Sequence, residues 1–314
     1  MSAIKKITQI LLALLLALSL GLYLWFWAAP VGVNNYINKV SMQLALNSPE
    51  LLTSLGMIDN SLLDFHSDKL GSYTKESEQQ SLQDLIEARE GLNDYGPEGL
   101  EGQAFLSWQI AAWFFDDIIA SSKLEHSGYR VNQISGVMVS TPQFLTDRHR
   151  IIDEKSTIRY IARLTEFARV IDEVKVRVMD DRDHGTVPPD FIINKALIGM
   201  RAFIADGAEG NPLVLTLPAK LEALGDISPS RKRALIAEAT EVVAKQVIPG
   251  YLEMIGLFEE MLVTSTHDAG VWRLPQGDKI YAAALHSSTS TDMTAEQIHQ
   301  LGLSEVARIE REME

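Results

Sequence analysis

Residues 281–303, YAAALHSSTSTDMTAEQIHQLGL, gather the side chains best suited to meet a ligand. Ser287, Ser288, Thr289, Ser290 and Thr291 set five small hydroxyls in a row ahead of Asp292, with His286 and His299 on either side. A hydroxyl both donates and accepts, so the run suits a bound peptide or anion. It suits equally well a loop that caps its own backbone. Complete catalytic constellations are missing. A helical zinc peptidase needs two histidines one turn apart with a glutamate between them. The histidines are His66, His126, His149, His184, His267, His286 and His299, and no two are four apart. G-x-S-x-G is absent, and the S-x-x-K of Ser72 to Lys75 lacks its partner motifs. No phosphate-binding glycine loop occurs; Gly207 and Gly210 make a turn. Asp116-Asp117 and Glu259-Glu260 are adjacent on helices and point apart, as solvated faces do. With no cysteine, thiolate metal sites, a thiol nucleophile, disulfides and a lipidated amino-terminal cysteine are excluded. No catalytic residue and no metal ligand is assigned in this chain.

The elements that must position these residues read as helices joined by short loops. Ser48-Pro49 and Ser228-Pro229 each set a capping hydroxyl before a proline that a first helical turn tolerates. Thr294 and Gln297 form a capping box, opening a helix at Ile298. Ile158, Ile161, Leu164, Ala168, Ile171, Val174 and Val178 step by three or four and predict a core-facing stripe. Ile192, Ile193, Ala196, Leu197, Met200 and Ile204 repeat the pattern after a Pro188-Pro189 start. Pro249-Gly250 is expected to kink or break the helix over 231–262. Between 121 and 147 the pattern fails, and NQISGVMVSTPQF reads as an ordered loop or short strand; 180–186 and 206–212 read as polar turns. The fold class is mostly α.

At the amino terminus, Lys5 and Lys6 precede an uncharged run over 10–29, with Tyr23, Trp25 and Trp27 near its far end. Twenty residues at about 1.5 Å each match a hydrocarbon core. The flanking lysines predict a signal anchor over 1–30, with 31–314 translocated; the alternative is a cleaved signal peptide, against which the length of the run speaks. The expected location is the bacterial inner membrane, held through residues 10–29, with the bulk facing the periplasm or the outside. The chain carries 28 Lys+Arg against 42 Asp+Glu, a net charge of −14, of which the first thirty residues contribute +2 and the rest −16. Nucleic acid is excluded as a partner, since no basic stripe offsets that charge.

The carboxy-terminal LHSSTSTDMTAEQIHQLGLSEVARIEREM resembles the signature of the bacterial "domain of unknown function 885" family. Further landmarks agree in order: SPELLTSLG over 48–56, NQISGV over 132–137, TVPPDFII over 186–193, VIPGY over 247–251 and VWRLPQGDKIYAAAL over 271–285. The resemblance covers about 48–314. It implies a helical, cleft-containing fold distantly similar to zinc peptidases such as carboxypeptidase Taq, with an H-E-x-x-G-H-H type motif in the carboxy-terminal half. The sequence ends at Glu314 before any such motif. The expectation is therefore the amino-terminal portion of the family domain, a truncated chain that itself binds no zinc and cleaves no peptide, although the full-length family would use zinc. Substrate-binding roles fall on Tyr281, His286, Thr289 and Thr291, as hydrogen-bonding groups of a cleft wall. The alternative is a non-catalytic, membrane-tethered helical domain that binds a peptide or protein partner.

Overall fold

The computed structural model describes residues 2–27, 30–56, 58 and 63–314; within the first helix it describes the side chains of residues 5–21 and 23. Every regular element among the described residues is helical. In chain order these are α1 (Ser2–Trp27), α2 (Val33–Leu46), α3 (Pro49–Leu55), α4 (Lys75–Leu92), α5 (Gly102–Ser122), α6 (Val137–Asp147) and α7 (Glu154–Asp183). There follow α8 (Asp190–Ile204), the short α9 (Pro212–Leu215) and α10 (Leu217–Glu222), α11 (Pro229–Val242), α12 (Ile248–Thr264), α13 (Gly277–Thr289) and α14 (Ala295–Met313).

The expected transmembrane helix is corrected: among the described residues no helix is long and apolar enough to cross a membrane. α1 opens with Lys5, Lys6, Thr8 and Gln9, so its apolar part begins only at Ile10. The expected aromatic end at Trp25 and Trp27 lies outside the described side chains, and Ala28 and Ala29 lie outside the described residues.

Two compact units emerge, Met1–Asn47 with Leu82–Ile119, and Ser48–Ser81 with Ala120–Glu314. In the first, Val33 and Val40 of α2, Ala88 and Leu92 of α4, and Ala111, Ala112 and Phe115 of α5 form a small core. The Tyr36 hydroxyl donates to the carbonyl of Ala88 at 2.7 Å.

In the second unit, the 30-residue α7 is the axis. Asp153 and Ser156 close a capping box at its start, each side chain accepting from the other residue's backbone N–H. Tyr160, Leu164, Phe167, Ile171, Val174 and Val178 are buried along one face, against which α6, α11 and α12 pack. Each such side chain contributes about 1.5–3 kcal/mol by leaving water. Two tyrosines fasten helices through buried hydroxyls: Tyr160 donates to Leu213 O at 2.7 Å and Tyr251 to Met138 O at 2.8 Å. Pro249-Gly250 does not break the chain. A π-turn over Val243–Val247 precedes it and absorbs the proline, so α12 continues from α11.

Of the stretch expected to be a loop or short strand, only residues 132–136 form an ordered loop; 137–144 belong to α6, which carries Pro142 inside it. The Asn132 side chain accepts from the N–H groups of Ile134 and Ser135, both at 2.8 Å, and folds the loop back toward Gly136. Gly136 has φ +94°, and a Cβ there would stand 2.3 Å from the Arg130 carbonyl oxygen. Gly136→Ala combines a left-handed strain with a backbone clash and is expected to cost about 2–3 kcal/mol. Urea unfolding checks this, and a loss under ~0.5 kcal/mol would remove the clash as the reason for this glycine.

Candidate functional site

The hydroxyl-rich run is more helical than its composition indicates. α13 extends through Thr289, and α14 opens at Ala295 behind the Thr294–Gln297 capping box. Thr289 donates to Leu285 O at 2.8 Å and lies 2.9 Å from the Thr291 hydroxyl; Thr291 accepts from Met293 N–H at 3.4 Å. Both threonines thus have local backbone partners. Tyr281 is half exposed on α13, and His286 stands 3.6 Å from the Asp292 carboxylate. Among the described residues, α14 buries none of its side chains. The four expected residues therefore lie on α13 and the turn after it, Tyr281 in the first half of the helix and His286, Thr289 and Thr291 about its end.

A second cluster joins residues that sequence spacing keeps apart. The loop after α5 brings His126 to the carboxy-terminal turn of α7, where the two imidazoles of His126 and His184 stack with centroids 4.2 Å apart and planes 9° apart. His126 Nδ1 lies 2.7 Å from Asp181, whose other carboxylate oxygen accepts from Arg130 Nε at 2.7 Å. Asp181 is buried. Glu78 of α4 accepts from Arg130 Nη1 at 2.5 Å and from Arg177 Nη2 at 2.9 Å. Arg177 Nη1 donates to Asp180 at 2.6 Å. His126 holds φ +56°, a left-handed backbone uncommon outside glycine, with its carbonyl tied to the Thr186 hydroxyl at 2.7 Å. The only sequence signal for this cluster was the i,i+4 spacing of Asp180 and His184, in a stretch that read as a polar turn but is largely the last turn of α7.

A third polar group is structural. Arg163 is fully buried on α7, and its guanidinium reaches carbonyls of the loop before α4, Thr53 of α3 and the His149 ring. Next to it, a cavity of about 40 Å³ is lined by Asp64, His66, Ser67 and His149 among others. That is room for a water or two and too little for a peptide. Burial alone would raise the Asp64 carboxyl; the Ser67 hydroxyl and the amides of Ser67 and His66 outweigh it and hold the group down to about 2.

Residues 49–314 match the family described as "Bacterial protein of unknown function (DUF885)". No curated protein matches the sequence. Among solved structures, one described as "the putative lipoprotein from Colwellia psychrerythraea" shares the fold at a TM-score of 0.71 and 20% identity, over 89% of this chain and 50% of that one. The chain thus spans half the length of that protein.

Proposed function

Because the chain belongs to the DUF885 family of bacterial proteins, we propose that it forms the amino-terminal portion of a helical, outward-facing protein resembling a zinc-dependent peptidase and supplies one wall of the peptide-binding cleft. The observation that carries this reading is the exposure of α13, which offers the Tyr281 hydroxyl in its first half and the His286 imidazole near its end, before the turn to α14. Those groups would orient a peptide by donating to its carbonyls. Thr289 and Thr291 shape the turn between them and carry one further acceptor each. The lipoprotein description of the Colwellia neighbour supports an outward-facing location. Lipid attachment itself does not carry over to these residues, which include no cysteine.

Zinc chemistry does not fit the wall itself. Its two histidines, His286 and His299, belong to no cluster of ligating side chains among the described residues. No hydrolytic step is therefore routed through this chain.

The test uses a full-length relative that carries the H-E-x-x-G-H-H motif. Peptide hydrolysis there should stop on treatment with a chelator. At the positions equivalent to Tyr281 and His286, Tyr→Phe and His→Ala should each lower kcat/KM by about tenfold, the worth of one substrate hydrogen bond. Chelator-insensitive cleavage, or both variants at full activity, would overturn the reading. Peptide binding without hydrolysis would replace it with the non-catalytic binding module.

A further inference from the structure

Trp272 is 69% exposed, an uncommon place for the largest of the side chains. The chain around it is firmly held. Arg273 Nη1 donates to Val187 O at 2.8 Å, Leu274 is buried, and Pro275 lies against Gly185. The N–H groups of Arg273, Leu274 and Gly277 donate to the carbonyls of Gly270, Val271 and Leu274 at 3.2, 3.0 and 2.9 Å. Two glycines let the turn close this tightly. A Cβ on Gly270 would stand 1.9 Å from Trp272 Nε1, so the indole lies folded over the Gly270 backbone. A Cβ on Gly277 would stand 2.9 Å from Trp272 Cα, so the Trp272 main chain rests against the first residue of α13.

That contact decides which residue neighbours the indole. Tyr281 follows Gly277 by four residues, one turn along the same face of α13, and is 47% exposed. Ala284, the next residue on that face, is small and exposed. Among the described residues neither Trp272 nor Tyr281 packs its ring on another aromatic side chain. We infer that Trp272 and Tyr281 form an aromatic ledge on the α13 wall that receives an apolar side chain of the peptide. The inference rests on the peptide-cleft reading and gives that cleft a preference for aromatic or large aliphatic residues over small or charged ones. An indole held by a rigid turn has little freedom left to lose on meeting a ligand, and it offers a flat apolar surface. The Tyr281 ring extends that surface, leaving its hydroxyl for the peptide backbone. Past Tyr281 the face continues as alanine and not as a carboxylate or amide, which favours an apolar side chain over a sugar, whose hydroxyls would need such partners.

Two experiments separate the ledge from the reading beneath it. In the full-length relative, hydrolysis is compared for peptides that differ only by Phe or Ala at one position, scanned along the peptide. At the favoured position Phe should raise kcat/KM at least about tenfold. Trp→Ala at the position equivalent to Trp272 should erase that preference, lowering the Phe peptide about tenfold and the Ala peptide less than about twofold. Gly→Ala at the position equivalent to Gly270 should do the same with the tryptophan still present. Gly270 has φ −71° and ψ 142°, which alanine adopts without strain, so the added methyl acts by displacing the indole. Val→Ala at the position equivalent to Val263, exposed at the end of α12, should change neither peptide. Phe preference retained in both ledge variants would overturn the inference and leave the peptidase reading standing. The second experiment takes the 314-residue chain in mild detergent, labelled with 5-fluorotryptophan. The ¹⁹F resonance of Trp272, assigned by its loss in Trp272→Phe, should move on titration with acetyl-Ala-Phe-Ala-amide and stay with acetyl-Ala-Ser-Ala-amide. That result, in a family whose full-length member cleaves no peptide, would keep the ledge and replace the peptidase with a binding module. A resonance unmoved by the Phe peptide, or moved only by cello-oligosaccharides, would overturn the inference.

Discussion

Replacing Arg163 with methionine is expected to remove about 3–5 kcal/mol of stability, enough to leave a domain of ordinary stability largely unfolded at 37 °C. The guanidinium is 0% exposed. Nε donates to Lys69 O at 2.8 Å; Nη1 reaches Thr53 Oγ1 at 3.1 Å and His149 Nδ1 at 3.0 Å; Nη2 reaches His66 O at 3.0 Å. Among the described residues no carboxylate is within ion-pair distance of it. Burial pulls it down to about 10, partly offset by the more distant charges of Glu50, Asp64 and Asp68, so it stays protonated at neutral pH. Two of these partners, Lys69 and His66, offer backbone carbonyls, which no second substitution can make apolar. A methionine of similar reach would refill the volume and orphan those acceptors, each worth about 1–3 kcal/mol when buried without a partner. Arg163→Lys is expected to do little better, because one ammonium cannot serve carbonyls lying on several sides of a planar fork. Urea denaturation of the pair measures this. A loss below about 1 kcal/mol in Arg163→Met would show that the loop rearranges freely around the missing donor.

Arg163 also marks where the sequence stops being legible. The three-four stripe along α7 located the core face, and Ile161, Leu164, Ile171, Val174 and Val178 are buried as that periodicity requires. Ile158, the first of the stripe, is instead 43% exposed, although Thr157 and Tyr160 beside it are fully buried, so the buried face at this end of α7 passes through those residues and not through Ile158. An arginine inside a helical stripe reads as a solvated face. Only the tertiary fold, which wraps the 64–70 loop over it, explains its burial. The capping signals at Ser48, Ser228 and Thr294 held, because a cap is a contact between residues three apart. Of the kink or break expected at Pro249, no break occurs: the irregularity is the π-turn just before the proline, which then sits in the first turn of α12. His126 and His184 obey the opposite logic to the caps. They are 58 residues apart and on different elements, so a search for paired histidines on one helix could not join them. The hydroxyl run was legible as a group, but its local use in ending α13 was a matter of backbone geometry at Ser290, which takes a left-handed φ of +53°.

The second large effect follows from the partner of Arg163. Lowering the pH from 6.5 to 4 is expected to remove about 3 kcal/mol of stability through His149 alone. The ring is buried, and desolvation first, then the charge of Arg163, pushes it down to about 3; a bond to the Ser156 carbonyl opposes them only in part. Because Nδ1 accepts from Arg163, the ring cannot take a second proton without losing that bond. The unfolded chain binds that proton near pH 6.5 and the folded chain does not until about pH 3. The unfolded state therefore holds more protons throughout the interval, and stability falls as pH falls. The contribution is complete above about 6.5 and is lost progressively toward 3. Below pH 4 the depressed Asp64 carboxyl acts in the same direction, losing its hydrogen bonds as it protonates toward 2. His149→Gln isolates the first effect: an amide oxygen can accept from Arg163 and the amide nitrogen can donate to Ser156, but nothing titrates. Its stability curve should run nearly flat from pH 6.5 to 4, apart from the slope contributed by other groups, and so converge on or cross the native curve, which descends by about 3 kcal/mol more. Parallel curves over that interval would mean that the folded protein protonates His149 as readily as the unfolded chain does. The guanidinium would then be held by its carbonyls alone, and the loss expected for Arg163→Met would have to come from them without help from the ring.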